Sequence, residues 1–326
     1  MSRFSTTLPS SRKRSLLAAA LLCLIAGQSQ ARIWEIGPAR DVTQPGQISG
    51  LSRDGDHIVL DPGVYRGCAI WTASNLTIEA RRRLSPTNPT VMNQVIITGP
   101  PCGDRALFWF TGDNILVRGL SFQNALDSQH NGAGILMLGA NLTVENSQFL
   151  NNENGILAGG PPTSIVRVIA SVFQGNGTCE GPCAHGLYVG ASIARLEVTN
   201  SLFIDQRIGH HIKSRARATI IRDSRIQDGP SGTASYLIDI PDGGDVEIIN
   251  NQLEKGPRSA NRETAISIGA ENETTPSGGI EIRGNRFVSG LANPVVFARV
   301  KSPVAARLIG NALIGDVIPL VGPGAR

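Results

Sequence analysis

Three of the five histidines and two of the three tyrosines lie between residues 185 and 239, together with Lys213, and could perform acid–base chemistry there. A histidine or a desolvated lysine can remove a proton from carbon, and a tyrosine can protonate a leaving oxygen. Lysine, arginine and histidine also hold carboxylates through charge-assisted hydrogen bonds. The candidate catalytic residues are Lys213, His211, His185 and Tyr236. The candidate substrate-binding residues are Tyr188, His210, Arg215 and Asp239.

This set of residue types suits β-elimination or C5-epimerisation of a uronic acid. Both reactions neutralise the carboxylate and remove the C5 proton, after which O4 leaves or a proton returns. The rings of Tyr188 and Tyr236 could stack on sugar rings. The partner expected from these residues is a polysaccharide or oligosaccharide, and no cofactor is expected.

Each candidate also has an ordinary structural explanation. Lys213 and Arg215 could be solvated charges on a sheet face, and the histidines could bond turn carbonyls. The tyrosines could simply cover a sheet, and Asp239 precedes a turn. Glu153 and Glu271 lie beside turns and receive no role. The clustering of the candidates on neighbouring repeats therefore counts for more than any one residue.

A loose internal repeat provides the elements that must position these residues. Its core alternates apolar and polar residues, passes through an Asn/Ser turn, and ends on an apolar residue. The alternation predicts strands, and a period between 20 and 50 residues predicts a solenoid. The repeats end at positions 23 to 34 residues apart: Phe122, Phe149, Phe173, Phe203, Ile226, Leu253, Phe287 and Leu313.

A second strand in each repeat predicts an inward column of apolar side chains. We place in this column Ile135, Ile156, Leu187, Ile212, Leu237, Ile266 and Val295. The residues before and after each of these should point outward, among them His211, Tyr236, Tyr188 and Lys213. We therefore predict an all-β, single-stranded parallel β-helix, with a short helix over residues 45–51 as an N-terminal cap. A β-sandwich is the rival fold.

Residues 55–65 read Gly-Asp-His-Ile-Val-Leu-Asp-Pro-Gly-Val-Tyr. This segment resembles the Gly-Asp-x-Ile-x-Leu-x-x-Gly-x-Tyr first coil of right-handed parallel β-helix proteins of the pectin-lyase-like class. The resemblance extends over residues 41–320 and implies the fold, whereas it leaves the reaction open.

The stretch Ile212-Lys213-Ser214 is similar to a strand of β-helix alginate and chondroitin lyases, whose lysine is the base. That resemblance implies the same role for Lys213. The glutamates that bind calcium in those lyases are replaced here by Ile208-Gly209-His210. Those lyases also carry an arginine on the coil after the lysine, and the corresponding stretch here is residues 237–241, Leu-Ile-Asp-Ile-Pro. Residues 209–216 also resemble secreted bacterial β-helix proteins that contain Gly-His-x-Ile-Lys-Ser-Arg-Ala.

The first 31 residues have the organisation of a secretory signal. A basic segment (Arg12 to Arg14) precedes a short apolar run, and a small-x-small site ends at Ala31. We therefore expect a protein that is secreted or periplasmic, with residues 32–326 as one β-helix domain. The remaining chain has no apolar stretch long enough for a membrane span.

Export leaves four cysteines in an oxidising compartment, where disulfides form. The three possible pairings include the local one that we favour, Cys68 with Cys102 and Cys179 with Cys183. A metal site formed by Cys179, Cys183 and His185 is the rival, although its ligand set is incomplete.

The net charge gives no reason to expect a nucleic-acid partner. The chain has 30 basic and 26 acidic residues, a net charge of +4. Removing the signal, with four basic and no acidic residues, leaves 26 of each. The leading hypothesis is thus an exported polysaccharide lyase or epimerase. The alternatives are a non-catalytic glycan-binding or cell-envelope protein and a surface scaffold. We expect a monomer in each case.

Overall fold

The computed structural model describes residues 1–2, 31–81, 94–271, 276 and 278–325. Residues 31–326 form one compact unit. Of the predicted signal segment, only residues 1–2 and 31 lie within the described part, so the signal remains a prediction. The described helices include none that is long and apolar enough to cross a membrane.

The strands of the described residues assemble into three sheets, and every pair of neighbouring strands is parallel. The first sheet contains Ile33–Ile36, His57–Leu60, Thr77–Ala80, Ile115–Arg118, Leu142–Glu145, Ile165–Ile169, Arg195–Thr199, Ala218–Arg222, Asp245–Ile249, Ile280–Arg283, Ala306–Ile309 and Gly324–Ala325. The second sheet contains Gly63–Arg66, Val95–Thr98, Leu120–Gln123, Gln148–Leu150, Val172–Gln174, Leu202–Ile204, Arg225–Gln227, Gln252–Lys255, Arg286–Ser289 and Ala312–Ile314.

The third sheet carries the candidate residues. It contains Ala69–Trp71, Ala106–Phe110, Ala133–Met137, Asn154–Ala158, Leu187–Val189, Ile212–Ser214, Ile238–Ile240, Thr264–Ile268, Val295–Val300 and Val317–Val321. In most coils the chain adds one strand to each sheet in turn, so coils stack about 4.8 Å apart. The predicted right-handed parallel β-helix is confirmed, and the parallel pairing excludes a β-sandwich.

The predicted column of repeat ends is also confirmed, and it lines the inside of the second sheet. Register pairing links all eight residues in order, from Phe122 to Leu313. The rings of Phe149, Phe173 and Phe203 stack with centroids 4.6 and 4.4 Å apart. At the neighbouring turns, side chains of one coil accept backbone N–H groups of the previous coil, as Asn285 does for Asn251. This bonding satisfies buried backbone donors.

The N-terminal cap is shorter than predicted. Within the predicted range 45–51, only Pro45–Gln47 is helical, as a single 3₁₀ turn. Residues 48–51 form hydrogen-bonded turns instead. An additional strand, Ile33–Ile36, pairs with His57–Leu60 ahead of the first coil. Both cysteine pairs form as favoured, Cys68–Cys102 and Cys179–Cys183. The pairing of Cys179 with Cys183 removes the thiolates that the rival metal site would need.

The predicted inward column of the third sheet is correct in its first four members and wrong at two later ones. The structure pairs Ile212 with Ile238 rather than Leu237, and Ile266 with Ala298 rather than Val295. Both Leu237 and Ile238 are fully buried, so hydrophobicity could not distinguish them. The register is shifted by one residue at Ile238 and by three at Ala298.

The residue before each inward position also points inward, which contradicts the sequence-based prediction. A Cβ added to Gly155 would lie 2.3 Å from the Gly186 carbonyl oxygen and 2.7 Å from the Phe173 ring. These residues border the turn, where strict alternation between faces no longer holds. Gly155 thus leaves space for the Phe173 ring of the phenylalanine stack.

Gly155→Ala is therefore expected to destabilise the protein by about 2–3 kcal/mol, because the added methyl group overpacks the core. Urea denaturation followed by circular dichroism measures this loss. Gly50→Ala is the matched control, because a Cβ there meets nothing within 4 Å. Equal urea concentrations at the midpoint of unfolding for the two variants would contradict the packing argument.

Candidate functional site

The outer face of the third sheet brings most of the candidate residues together in adjacent columns. Register pairing places Tyr188, Lys213 and Asp239 side by side on three successive coils. We call the whole group the outer-face cluster. Its members are His185, Tyr188, His210, Lys213, Arg215, Tyr236, Asp239, Asp242 and Glu271.

Three aromatic rings form the second column of the cluster. The His185 and His210 rings stack with centroids 4.8 Å apart, and Tyr236 follows His210 at 5.0 Å. Tyr188 contacts the first histidine, with ring centroids 5.6 Å apart. Tyr236 therefore belongs to the same column as His185 and His210, one residue away from the position that the sequence predicted for it.

A ladder of side chain to backbone hydrogen bonds fixes this column. Asn154 Oδ1 accepts the backbone N–H of His185 at 2.9 Å. His185 Nδ1 accepts the N–H of His210 at 3.0 Å, and His210 Nδ1 accepts the N–H of Tyr236 at 3.1 Å. Because each Nδ1 is an acceptor, each neutral ring must carry its proton on Nε2. Both histidines therefore present an N–H donor on the side opposite to the ladder.

Burial keeps both histidines neutral. Desolvation, together with the positive charge of Lys213, lowers the pKa of His210 to about 3. Burial and the charge on its neighbours also hold the pKa of His185 well below its usual value. A neutral ring with Nδ1 occupied and Nε2 protonated has no free lone pair for a proton. Neither histidine can therefore act as a base without breaking the ladder.

Asp239 is the buried acceptor at the centre of the cluster. Its Oδ2 lies 3.5 Å from both Lys213 Nζ and His210 Nε2. Its Oδ1 has no hydrogen-bond partner among the described residues. Burial raises the pKa of Asp239 to about 6, although the charge on Lys213 opposes the rise. A carboxyl with such a pKa exchanges protons readily near neutral pH.

Two further carboxylates complete the cluster. Glu271 Oε1 lies 3.1 Å from Lys213 Nζ, and Glu271 Oε2 bonds the guanidinium of Arg215. Asp242 bonds the same guanidinium from the other side. The bond to Arg215 lowers the pKa of Glu271, so this residue stays ionised. Sequence reasoning left Glu271 without a role, because its contact with Lys213 spans 58 residues and depends on the register.

His211 does not belong to the cluster, which corrects the prediction that it points outward. It is 1 % exposed, and its Nε2 lies 2.9 Å from Oδ1 of the buried Asp228. Asp228 also accepts hydrogen bonds from the Ser259 hydroxyl and the Gly256 N–H. The His211 side chain therefore enters the interior, where its Nε2 is engaged by Asp228, and it is not part of the outer face.

An apolar strip continues the Tyr188 column toward the N-terminal coils. Register pairing leads from Tyr188 through Leu157 and Leu136 to Trp109 and Ile70. Leu157 and Trp109 are partly exposed, and Ile70 is 40 % exposed. The outer face thus changes from apolar to charged over a few coils.

The cluster lies on the outer face of the third sheet. Two concave cavities lie elsewhere, one of about 220 Å³ beside the N-terminal cap and one of about 750 Å³ on the first sheet. Among the described residues, no group of three or more histidine, cysteine or acidic side chains could hold a metal ion.

The topology defines the chain as a right-handed parallel β-helix protein with a charged, histidine-rich cluster on one outer face. No family model matches the chain, and no curated protein matches it. An alginate lyase from Paenibacillus sp. FPU-7 is similar with a TM-score of 0.44 and 14% identity, over 90% of this chain and 99% of that one. The A-module of the mannuronan C-5 epimerase AlgE6 from Azotobacter vinelandii has a TM-score of 0.36 and 12% identity, over 85% and 93%.

Proposed function

We propose that the protein is an exported carbohydrate-active β-helix protein that binds a uronic-acid-containing polysaccharide across the outer-face cluster. There it catalyses β-elimination or C5-epimerisation. The observation that carries the proposal is Asp239, a buried carboxyl with a pKa of about 6 beside a lysine and a histidine donor. Its Oδ1 has no hydrogen-bond partner among the residues that the structure describes. The two disulfides support export, because such bonds persist in oxidising compartments.

Asp239 is the proposed base. Lys213 forms ion pairs with two carboxylates, and in its charged form it has no lone pair for a proton. The histidines keep their lone pairs in the backbone ladder. Asp239 is thus the better proton acceptor, although the sequence resemblance assigned that role to Lys213.

The cations and His185 then stabilise the negative charge that develops on the substrate. Lys213 and Arg215 neutralise the uronate carboxylate, and the Nε2–H of His185 donates to its oxygens, whereas the Nε2–H of His210 faces Asp239. In β-elimination, the C5 proton moves to Asp239 and its electron pair forms the C4=C5 double bond. The bond from C4 to O4 breaks, and Tyr188 or Tyr236 protonates the leaving oxygen. In epimerisation, a tyrosine returns a proton to the opposite face of C5.

A panel of uronate polymers tests this function. Elimination creates an unsaturated product that raises ultraviolet absorbance, and epimerisation exchanges the C5 proton with deuterated water. Lys213→Ala should lower the rate by about 10²-fold, since it removes a charge-assisted hydrogen bond worth about 2–3 kcal/mol.

Lys301→Ala is the control for this variant, because Lys301 is an exposed lysine outside the cluster. Its rate should match that of the wild type. The absence of turnover on every polymer in the panel would refute the catalytic proposal.

Glycan binding without catalysis is the second candidate, and the apolar strip beside the cluster favours it. The cluster adjoins an apolar strip that contains Trp109 and Leu157, both of which are partly exposed. Aromatic side chains on the outer face of a sheet can hold a sugar chain by stacking on its rings. This function predicts binding on glycan arrays without product, lost in Tyr188→Ala.

A further inference from the structure

Glu271 covers the two cations of the outer-face cluster on their solvent side. One of its oxygens bonds Lys213 and the other bonds Arg215. The Glu271 side chain is 50 % exposed, whereas those of Lys213 and Arg215 are 11 % and 21 % exposed. Asp239 pairs with Lys213 and Asp242 pairs with Arg215, and both of these carboxylates are nearly buried. Among these carboxylates, Glu271 is therefore the one that solvent or a ligand can replace.

The backbone at Glu271 is attached independently of this side chain. Its N–H donates to the carbonyl of Pro241 at 3.0 Å. The side chain can consequently rotate away from the cations while the backbone stays bonded. Because the Glu271 carboxylate is half exposed, water can solvate it when it leaves the cations.

We infer that Glu271 is a displaceable internal carboxylate, which occupies in the free protein the position that the uronate carboxylate takes on binding. The inference rests on the proposed function, and it identifies the subsite for the substrate's acidic group as the pair Lys213 and Arg215. An ammonium and a guanidinium holding one carboxylate form the arrangement that recognises a uronate. Glu271 then competes with substrate and discriminates against neutral sugars, which cannot replace its charge.

Calorimetric titration with sodium glucuronate and with glucose tests the inference. Glu271→Gln keeps the shape of the side chain and removes its charge. It should bind glucuronate about fivefold or more tightly than the wild type, because the Glu271 carboxylate no longer competes for Lys213 and Arg215. Its affinity for glucose should not change.

Glu281→Gln is the matched control, because Glu281 forms an ion pair with Arg283 on the first sheet, away from the cluster. It should bind both sugars as the wild type does. Unchanged or weaker glucuronate binding by Glu271→Gln would overturn the inference, and so would undetectable binding by both proteins. Tighter binding without turnover on the polymer panel would support the inference while refuting the lyase or epimerase function.

Discussion

Replacing Asp239 with asparagine is expected to lower the rate of proton abstraction by about 10³-fold or more, because it removes the proposed base. In the wild type, kcat/KM should rise with pH through about 6, the pKa to which burial raises Asp239. The value of kcat/KM should rise with pH because Asp239 acts as a base, and only its ionised carboxylate accepts a proton. The pH profile on the most active polymer measures both effects.

The same substitution is expected to stabilise the fold at neutral pH. The pKa of Asp239 rises from 3.8 to about 6 on folding, so the folded state binds the proton more tightly. Protonation of Asp239 therefore stabilises the folded state relative to the unfolded state. This stabilisation is fully present below pH 3.8 and is lost as the pH rises through 6. At pH 7 Asp239→Asn avoids this loss, which amounts to about 2–3 kcal/mol.

Thermal denaturation at pH 4 and pH 7 separates this effect from a general change in packing. The melting temperature of Asp239→Asn should exceed that of the wild type at pH 7, and the difference should shrink at pH 4. Asp316→Asn, at an exposed position, is the control and should change neither rate nor stability. Full activity in Asp239→Asn would exclude Asp239 as the base.

Asp228→Ala should be the most destabilising substitution in the interior beside the cluster, at about 3–5 kcal/mol. Its carboxylate is fully buried and accepts hydrogen bonds from His211, Ser259 and the Gly256 N–H. Removing it leaves three buried donors without an acceptor, and it also leaves the buried Lys255 without its counter-charge.

Urea denaturation measures this loss, and its pH dependence provides a second test. Burial raises the pKa of Asp228, but His211 and Lys255 outweigh burial and lower it below 3.8. The stabilisation is therefore present above pH 3.8 and is lost as the pH falls further. The difference in the free energy of unfolding between the wild type and Asp228→Ala should therefore become smaller below pH 3.8. Asp41→Ala, at an exposed aspartate, is the control. A loss below 1 kcal/mol would contradict the proposed network.

The alternation of apolar residues was sufficient to predict the solenoid and one of its inner columns. The residues from Phe122 to Leu313 align because each repeat ends at an Asn/Ser turn that marks the register. The cysteine pairing followed from proximity along the chain. At Leu237 and Ile238 two apolar neighbours are equally buried, and the sequence held no marker to choose between them.

The candidate site was predictable only in part. Lys213 and Tyr188 follow inward residues within regular strands, where alternation is reliable, and they do lie side by side. His211 borders a turn, where alternation fails, and its side chain enters the interior. Glu271 meets Lys213 across 58 residues, a contact that no local pattern encodes.

The sequence by itself determined the coil, because periodic burial of apolar side chains is a local property repeated along the chain. Only the tertiary structure decided which polar residues share the outer face and in which protonation states. Those outcomes depend on the length of each turn, which sets the register between coils. They depend equally on burial and on charges brought together from distant coils, which make Asp239 a proton acceptor and keep the histidines neutral.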